Sequence, residues 1–203
     1  FYSDAMDELG SFAIKHNIPV TQTVMGYSTM KRDHSHFLGP IGGLGGRAAN
    51  NLAKETDLAI CVGTKLADFT TGSWANFENP EFKLVSINIA RHDANKHLAE
   101  AVIGDAKVCL SELSNSLGNW KSPDSWHKKS QDELKSWNEY VDKESGPTNQ
   151  ETPNYAHAVG AIYRNSDPTD IAVTAAGGLV GEVVQVWRPK ELNTHETEWG
   201  FSC

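Results

Sequence analysis

Three stretches of this sequence carry residue types whose spacing could do chemistry. The first is residues 57–72, Asp-Leu-Ala-Ile-Cys-Val-Gly-Thr-Lys-Leu-Ala-Asp-Phe-Thr-Thr-Gly. An apolar run, Leu58–Val62, ends at Gly63 and opens into Thr64, Asp68, Thr70 and Thr71. That is the pattern of a buried parallel strand with a polar loop at its carboxyl end, where open α/β sheets bind ligands. A core strand with a solvated turn explains it too. The second is Gly42-Gly43-Leu44-Gly45-Gly46-Arg47-Ala48, which contains G-x-G-x-x-A counted from Gly43. Glycines allow close backbone approach, and a helix over 47–55 would turn its positive end to the loop. A dinucleotide site needs a strand immediately ahead, and residues 37–41 make a poor one. A glycine-rich turn before a core helix fits equally well. The third is Gly177-Gly178, between a predicted strand over 170–175 and a predicted helix ending near Trp187.

The histidines offer less. His34 and His36 stand two apart, with no third ligand at metal spacing, and read as surface loop. His92 and His97 read as a solvated helix start. His195-Glu196 reads as exposed loop that could touch a substrate. Cys61, Cys109 and Cys203 are odd in number and far apart, without C-x-x-C, so neither a zinc site nor a disulfide framework is indicated.

The elements that must position these residues alternate. Met6, Leu9, Phe12 and Ala13 predict a helix from Ser3-Asp4 to about Asn17, stopped by Pro19. A strand over 18–24 and a long loop over 25–41 follow. After Leu58–Val62 come strands over 83–89 and 101–103. Then a helix over 106–117 turns Val108, Leu110, Leu113 and Leu117 inward, with Gly118 as its cap. This order implies right-handed crossovers and a parallel sheet. Residues 119–152 change character. A polar helix beginning near Pro123 carries Trp126, Leu134, Trp137 and Val141 on one stripe, and 145–149 break it. This connector has no obvious partner within the chain for its aromatic stripe. Thr152-Pro153 reads as the cap of a further helix bearing Tyr155, Val159 and Ile162. Residues 190–203 read as loop.

The 203 residues carry a formal charge of −8, 39% hydrophobic and 22% charged residues, and 17 glycines. This composition suits a soluble α/β protein. No run is long enough to span a bilayer. With no basic cluster, nucleic acid and anionic membranes are poor partners. The cysteine usage suggests a reducing, cytoplasmic setting. Phe1-Tyr2-Ser3 is no natural start, and a fragment is expected.

Residues 62–72 resemble a V-G-x-R-x-x-D-x-x-T-G signature. With Ile18-Pro19-Val20, Leu38-Gly39, the glycine loop and Ala48-Ala49-Asn50, Ile87-Asn88-Ile89 and Gly104-Asp105-Ala106, they are similar to the central domain of thiamine-diphosphate enzymes related to acetolactate synthase. Asp68-Phe69-Thr70-Thr71-Gly72-Ser73-Trp74, Asn88-Ile89-Ala90, Lys96-His97 and residues 198–203 look most like the trihydroxycyclohexanedione hydrolases of inositol catabolism. Similar sequences have also been labelled malonic semialdehyde oxidative decarboxylase. The resemblance implies a Rossmann-like central domain over 1–118 lacking its first strand. A helical connector over 119–152 and the start of a cofactor-binding domain over 153–203 follow.

It also implies site residues. Gly177, Gly178 and Leu179 fall where the family meets the diphosphate of thiamine diphosphate. Gly43, Leu44, Gly45, Lys65, Asn88 and Asp105 fall where flavin-binding members hold FAD. Lys65 stands where arginine is usual, Ala67 replaces an aspartate and Phe69 a second arginine. Lysine cannot reproduce the bidentate fork of arginine on a phosphate. A vestigial site, or one for a nucleotide such as ADP only, is therefore expected. The family's activating glutamate and its G-D-G metal motif for Mg²⁺ have no counterpart here, so no catalytic residue is assigned. The implied function is part of an enzyme that cleaves a C–C bond of a cyclic 1,2-dione, inactive by itself. The alternatives are an acetolactate-synthase-like or malonic semialdehyde decarboxylase and, from another class, a standalone nucleotide-binding or assembly module. The implied partners are a small-molecule substrate, the rest of the same polypeptide, and further copies in a homodimer or homotetramer. An incomplete sheet also predicts unusual apolar exposure, with the last fifty residues packed on the central domain, swapped or poorly ordered.

Overall fold

Parallel strands and the helices between them make up this α/β fold, seen in a computed structural model that describes residues 2–175 and 177–197. Helix α1 (Met6–His16) buries Phe12, Ala13 and His16, and ends where Asn17 turns left-handed and donates back to Ala13 and Ile14. Strand β1 (Val20–Gln22) is shorter than its sequence suggests, because Thr23 caps a 3₁₀ turn over Val24–Gly26. Strand β2 (Phe37–Pro40) runs parallel to β1 and is buried along its whole length. The sequence hides it because Gly39 and Pro40 are poor strand formers; burial and the pairing with β1 override propensity. Its existence removes the objection that no strand precedes the glycine loop.

Helix α2 (Arg47–Glu55) and strand β3 (Leu58–Val62) follow as predicted. A single helical turn, α3 (Asp68–Thr71), leads to β4 (Lys83–Asn88). After the short α4 (Arg91–Ala94), strand β5 (Glu100–Ile103) completes a parallel sheet of order β3-β4-β5. β3 is an edge strand and only half buried, with Leu58 44% exposed, where its apolar run suggests a core strand. Helix α5 (Ala106–Leu117) buries Leu110, with Leu113 and Leu117 packed beside it, but Val108 faces outward.

The connector is α6 (Asp124–Glu144), and its stripe does have a partner. Trp126, Leu134 and Trp137 pack on the cluster formed by Leu38 of β2, Ile41 just after it, and Ala48, Ala49, Leu52 and Ala53 of α2. Small residues on α2 leave room for the indoles, which sequence periodicity cannot reveal. Helix α7 (Tyr155–Asn165) starts two residues later than Thr152-Pro153 suggests. Asn154 and His157 form a reciprocal capping box that satisfies both amides. Strand β6 (Ala172–Thr174) pairs in parallel with β7 (His195–Thr197), and α8 (Gly178–Val186) lies between them in sequence. β7 corrects the loop reading of 190–197; residues 198–203 and Cys203 lie outside the described residues.

This last unit is docked on the rest. The Arg32 amide donates to the Pro189 carbonyl, and the Asn193 amide to that of Ser28. Arg32 donates to the Tyr163 hydroxyl at 2.6 Å, and that hydroxyl donates to the Arg188 carbonyl. Ile171, Val173, Tyr155, Ile162 and Leu179 remain exposed on it. Among the described residues no helix is long and apolar enough to cross a membrane.

Candidate functional site

The glycine loop leaves β2 at Pro40 and enters α2 at Arg47, so strand, loop and helix follow without interruption. Its four glycine amides from Gly42 to Gly46 are spent inside the protein. Gly42 donates to Asn50 Oδ1 at 3.0 Å, and Asn50 Nδ2 donates back to the Gly42 carbonyl. Gly43 donates to the Phe69 carbonyl at 2.7 Å, Gly45 to Gly42 and Gly46 to Pro40. Space is spent as well. A Cβ on Gly42, whose φ is +110°, would stand 2.2 Å from the Phe69 oxygen, and one on Gly45 would stand 2.6 Å from that of Pro40. One on Gly46 would meet the Trp137 indole nitrogen at 2.7 Å. Here glycine is required by close backbone packing, and no phosphate cradle is left in these amides.

The carboxyl ends of β3, β4 and β5 carry the other expected nucleotide contacts. Asn88 bridges two loops, donating to the Thr64 carbonyl at 3.2 Å and accepting from the Ala90 amide. Asp105 caps α5, accepting from the amides of Lys107 and Val108. A hydrogen bond from Ser3, then those amides, hold its carboxyl below the usual carboxylate range. Lys65 is exposed beside them. Backbone strain gathers here: Leu66, Ser73, Trp74, His97 and Leu98 all have positive φ. His97 packs edge-on to Trp74, with ring centroids 4.5 Å apart, and its Nε2 lies 3.2 Å from the Leu66 carbonyl. His92 is exposed.

The second glycine pair differs. Gly177 has φ +124°, and among the described residues nothing lies within 4 Å of a Cβ built there, while one at Gly178 meets only Tyr155 at 4.0 Å. No side chain caps α8. Its first amides, with the glycines ahead of them, fit a diphosphate end in charge and in clearance. The structure brings both glycine loops to one helix. Leu44 packs with Val24, Val180 and Val184, a Cβ on Gly181 would touch Leu44 at 3.5 Å, and Gln185 donates to the Leu44 carbonyl. Lys65, Asn88 and Asp105 are instead tied to the β3–β5 ends. Sequence reasoning did not assign a role to Asn50, the Phe69 carbonyl or Trp137. Asn50 left a signal as the residue after Ala48-Ala49, and Trp137 as part of the connector's apolar stripe.

Two histidines are not where their sequence suggests. His36 is buried, stacked on His127 of α6 with centroids 4.2 Å apart, its Nδ1 on Ser35 and its Nε2 on Asn17. Burial, then the His127 and His34 imidazoles, lowers its pKa to about 4. His195 is buried on β7, edge-on to Tyr27, and burial lowers it to about 4. Burial raises the Tyr27 phenol, and pushes the Cys61 thiol up to about 12, which makes it a poor nucleophile. Among the described residues no group of three or more His, Cys, Asp or Glu could hold a metal.

Comparison with known proteins adds identity to this geometry. The family description "Thiamine pyrophosphate enzyme, central domain" matches residues 1–113. The whole chain is 33% identical, over 225 residues, to the 3D-(3,5/4)-trihydroxycyclohexane-1,2-dione hydrolase of Clostridium perfringens (strain 13 / Type A). It is 33% identical to the protein of that name from Bacillus anthracis, and 34% identical to hydrolase 1 of that name from Bacillus cereus. In each case all of this chain is covered, but only 35% of the relative. The chain thus spans about a third of the length of the curated relatives it matches.

Proposed function

This chain belongs to the thiamine pyrophosphate enzymes, by a match to their central domain, and from that premise we propose that it works within an enzyme that hydrolyses a carbon–carbon bond of a cyclic 1,2-dione. The observation that carries this is identity to trihydroxycyclohexanedione hydrolases sustained over the whole chain, connector and second unit included. Gly177, Gly178 and Leu179 would hold the diphosphate end of thiamine diphosphate at the start of α8. Bound there, the cofactor supplies the electron sink for C–C cleavage. The residues of this chain bind and orient. Leu44 and Val24 brace α8 from the central domain, and Tyr163, Arg32 and Arg188 lock the second unit against the loop after β1. Gly43, Gly45, Asn88 and Asp105 act as scaffold in this reading. Mg²⁺, the substrate contacts and the activating acid would come from the rest of the polypeptide or a second copy of it.

The test is to supply the complete polypeptide with thiamine diphosphate, Mg²⁺ and trihydroxycyclohexane-1,2-dione, and to follow loss of the dione. Cofactor-dependent ring opening is expected, with none from the 203-residue chain alone. Release of CO₂ from malonic semialdehyde or a 2-oxo acid, with the dione untouched, would replace this reading by a decarboxylase.

A further inference from the structure

Helix α6 meets the rest of the chain along two adjoining faces. Trp126, Leu134 and Trp137 fill the apolar one. The other carries His127, Gln131, Leu134, Asn138 and Asp142. Their spacing of i, i+4, i+7, i+11 and i+15 places them in one row, about 22 Å long at the rise of an α-helix. The segment from β1 to β2 and the chain after α8 both arrive against this row. His36 stacks on His127. Leu134 packs on the Tyr27–Met30–Phe37 cluster. Arg188 donates to Asn138 Oδ1 at 3.3 Å and pairs with Asp142.

Buried polar atoms gather on this seam without a partner among the described residues. They are His127 Nδ1, Gln131 Nε2, Tyr27 Oη, Arg188 Nε and Gln22 Oε1. Gln22 belongs to the seam through the loop that carries Tyr27, since its Nε2 donates to Thr29 Oγ1 and to the Met30 carbonyl. Elsewhere among the described residues, only Glu8 Oε2 and Ser86 Oγ share this condition. Tyr27 is 2% exposed and Gln22 3%, so bulk solvent does not reach them. Burial raises the Tyr27 phenol and the Arg188 charge opposes that rise, which sets the guanidinium within electrostatic reach of the hydroxyl. Buried polar groups are nearly always hydrogen-bonded, and leaving one unpaired costs its full desolvation. Five on one seam call for a common partner.

We propose that internal water binds along this seam, bridging Tyr27 Oη to Arg188 Nε and serving Gln131, His127 and Gln22. The chemistry of the five atoms selects water. Tyr27, Arg188 and Gln131 present donors that need an acceptor, whereas Gln22 Oε1 is an acceptor that needs a donor. Water does both and ordinarily takes two to four such partners when buried. An anion would satisfy the donors and be repelled by Gln22 Oε1, and Asp142 already answers the Arg188 charge. A cation would face Arg188. The connector is then held on one face by dry aromatic packing and on the other by water bridges, which keep their strength without demanding exact side-chain fit. This inference rests on hydrogen-bond accounting and is independent of the reaction.

A high-resolution crystal structure of the complete polypeptide tests it directly. Water density is expected within about 3.2 Å of at least two of the five atoms, Tyr27 Oη among them. Crystals of Tyr27→Phe should lose the water at that position and keep the fold. A protein group in its place, from this chain or from the rest of the polypeptide, would overturn the proposal, and so would a dry seam. Crystals soaked in bromide separate water from an anion: an anomalous peak beside Arg188 would also sink it. Melting temperatures give a second reading. With water present, neither Tyr27→Phe nor Gln131→Met should raise the melting temperature, because each removes a satisfied hydrogen bond. A rise in both variants would mean that unpaired groups had been relieved, and the seam would then be dry.

Discussion

The two glycine loops look alike in sequence and differ in three dimensions. Each follows a short parallel strand and enters a nine-residue helix, α2 or α8. In the first, Asn50, Phe69 and neighbouring carbonyls take the amides, and backbone atoms or Trp137 occupy the space that a side chain would need at Gly42, Gly45 or Gly46. In the second, no atom of the described residues lies within 4 Å of a Cβ built at Gly177, and one at Gly178 meets only Tyr155, at 4.0 Å. A glycine pair between strand and helix therefore does not say what surrounds it: the protein's own backbone in one case, open space among the described residues in the other.

Alanine at Gly42 should break the first loop most severely. Overpacking against Phe69 and strain at φ +110° each cost about 1–3 kcal/mol, so a combined loss of roughly 3 kcal/mol or more is expected. Urea denaturation of Gly42→Ala against the parent measures it. A loss under 1 kcal/mol would mean that the loop is looser than its geometry. Next comes Asn50→Ala, which strands the amide and carbonyl of Gly42 and the side-chain amide of Asn76. At about 1–3 kcal/mol for an orphaned buried group, a drop of about 2 kcal/mol is expected in the same titration.

Acid should weaken the surroundings of both loops. His36 precedes β2, and His195 lies on the strand paired with β6. Each has a folded-state pKa of about 4, below the ordinary 6.5 of an unfolded histidine. The unfolded chain then binds more protons between those values. Stability is fully present above pH 6.5 and is lost as pH falls toward 4; the whole shift corresponds to about 3 kcal/mol per histidine, which solvent screening reduces to roughly 1–2 kcal/mol. Denaturation midpoints across that range in the parent and in His195→Gln check the slope, which should shrink in the variant. The smallest effect is at Gly178→Ala, where the site is open and Ala is the better helix former, so stability should shift by less than about 0.5 kcal/mol. Thiamine diphosphate affinity of the complete enzyme should nevertheless fall. A large stability loss there would erase the contrast between the loops.

Local pattern made several elements legible. The period of Phe12, Ala13 and Leu9 marked α1, runs rich in β-branched residues marked β3 and β4, and the apolar period with Gly118 marked α5, while the Asp105 cap at its start was not read. β2 was not legible, because Gly39 and Pro40 argue against a strand that only β1 and the burial of Phe37 and Leu38 stabilise. β7 was missed for the same reason: three polar residues pair with β6, and the His195 ring is buried against Tyr27. Of the candidate site, the glycines were legible and their use was not.

The sequence by itself determined the α/β alternation, the positions of the glycines and the family signature in residues 62–72. These depend on spacing within a few residues, where backbone conformation and side-chain period are set. Tertiary structure alone decided that Trp137 lies against Gly46, that Leu44 joins the first loop to α8, and that His36 stacks on His127. Those contacts join residues some ninety to one hundred and forty positions apart. Whether an amide is spent or available, or an imidazole buried or exposed, depends on which distant surface arrives beside it.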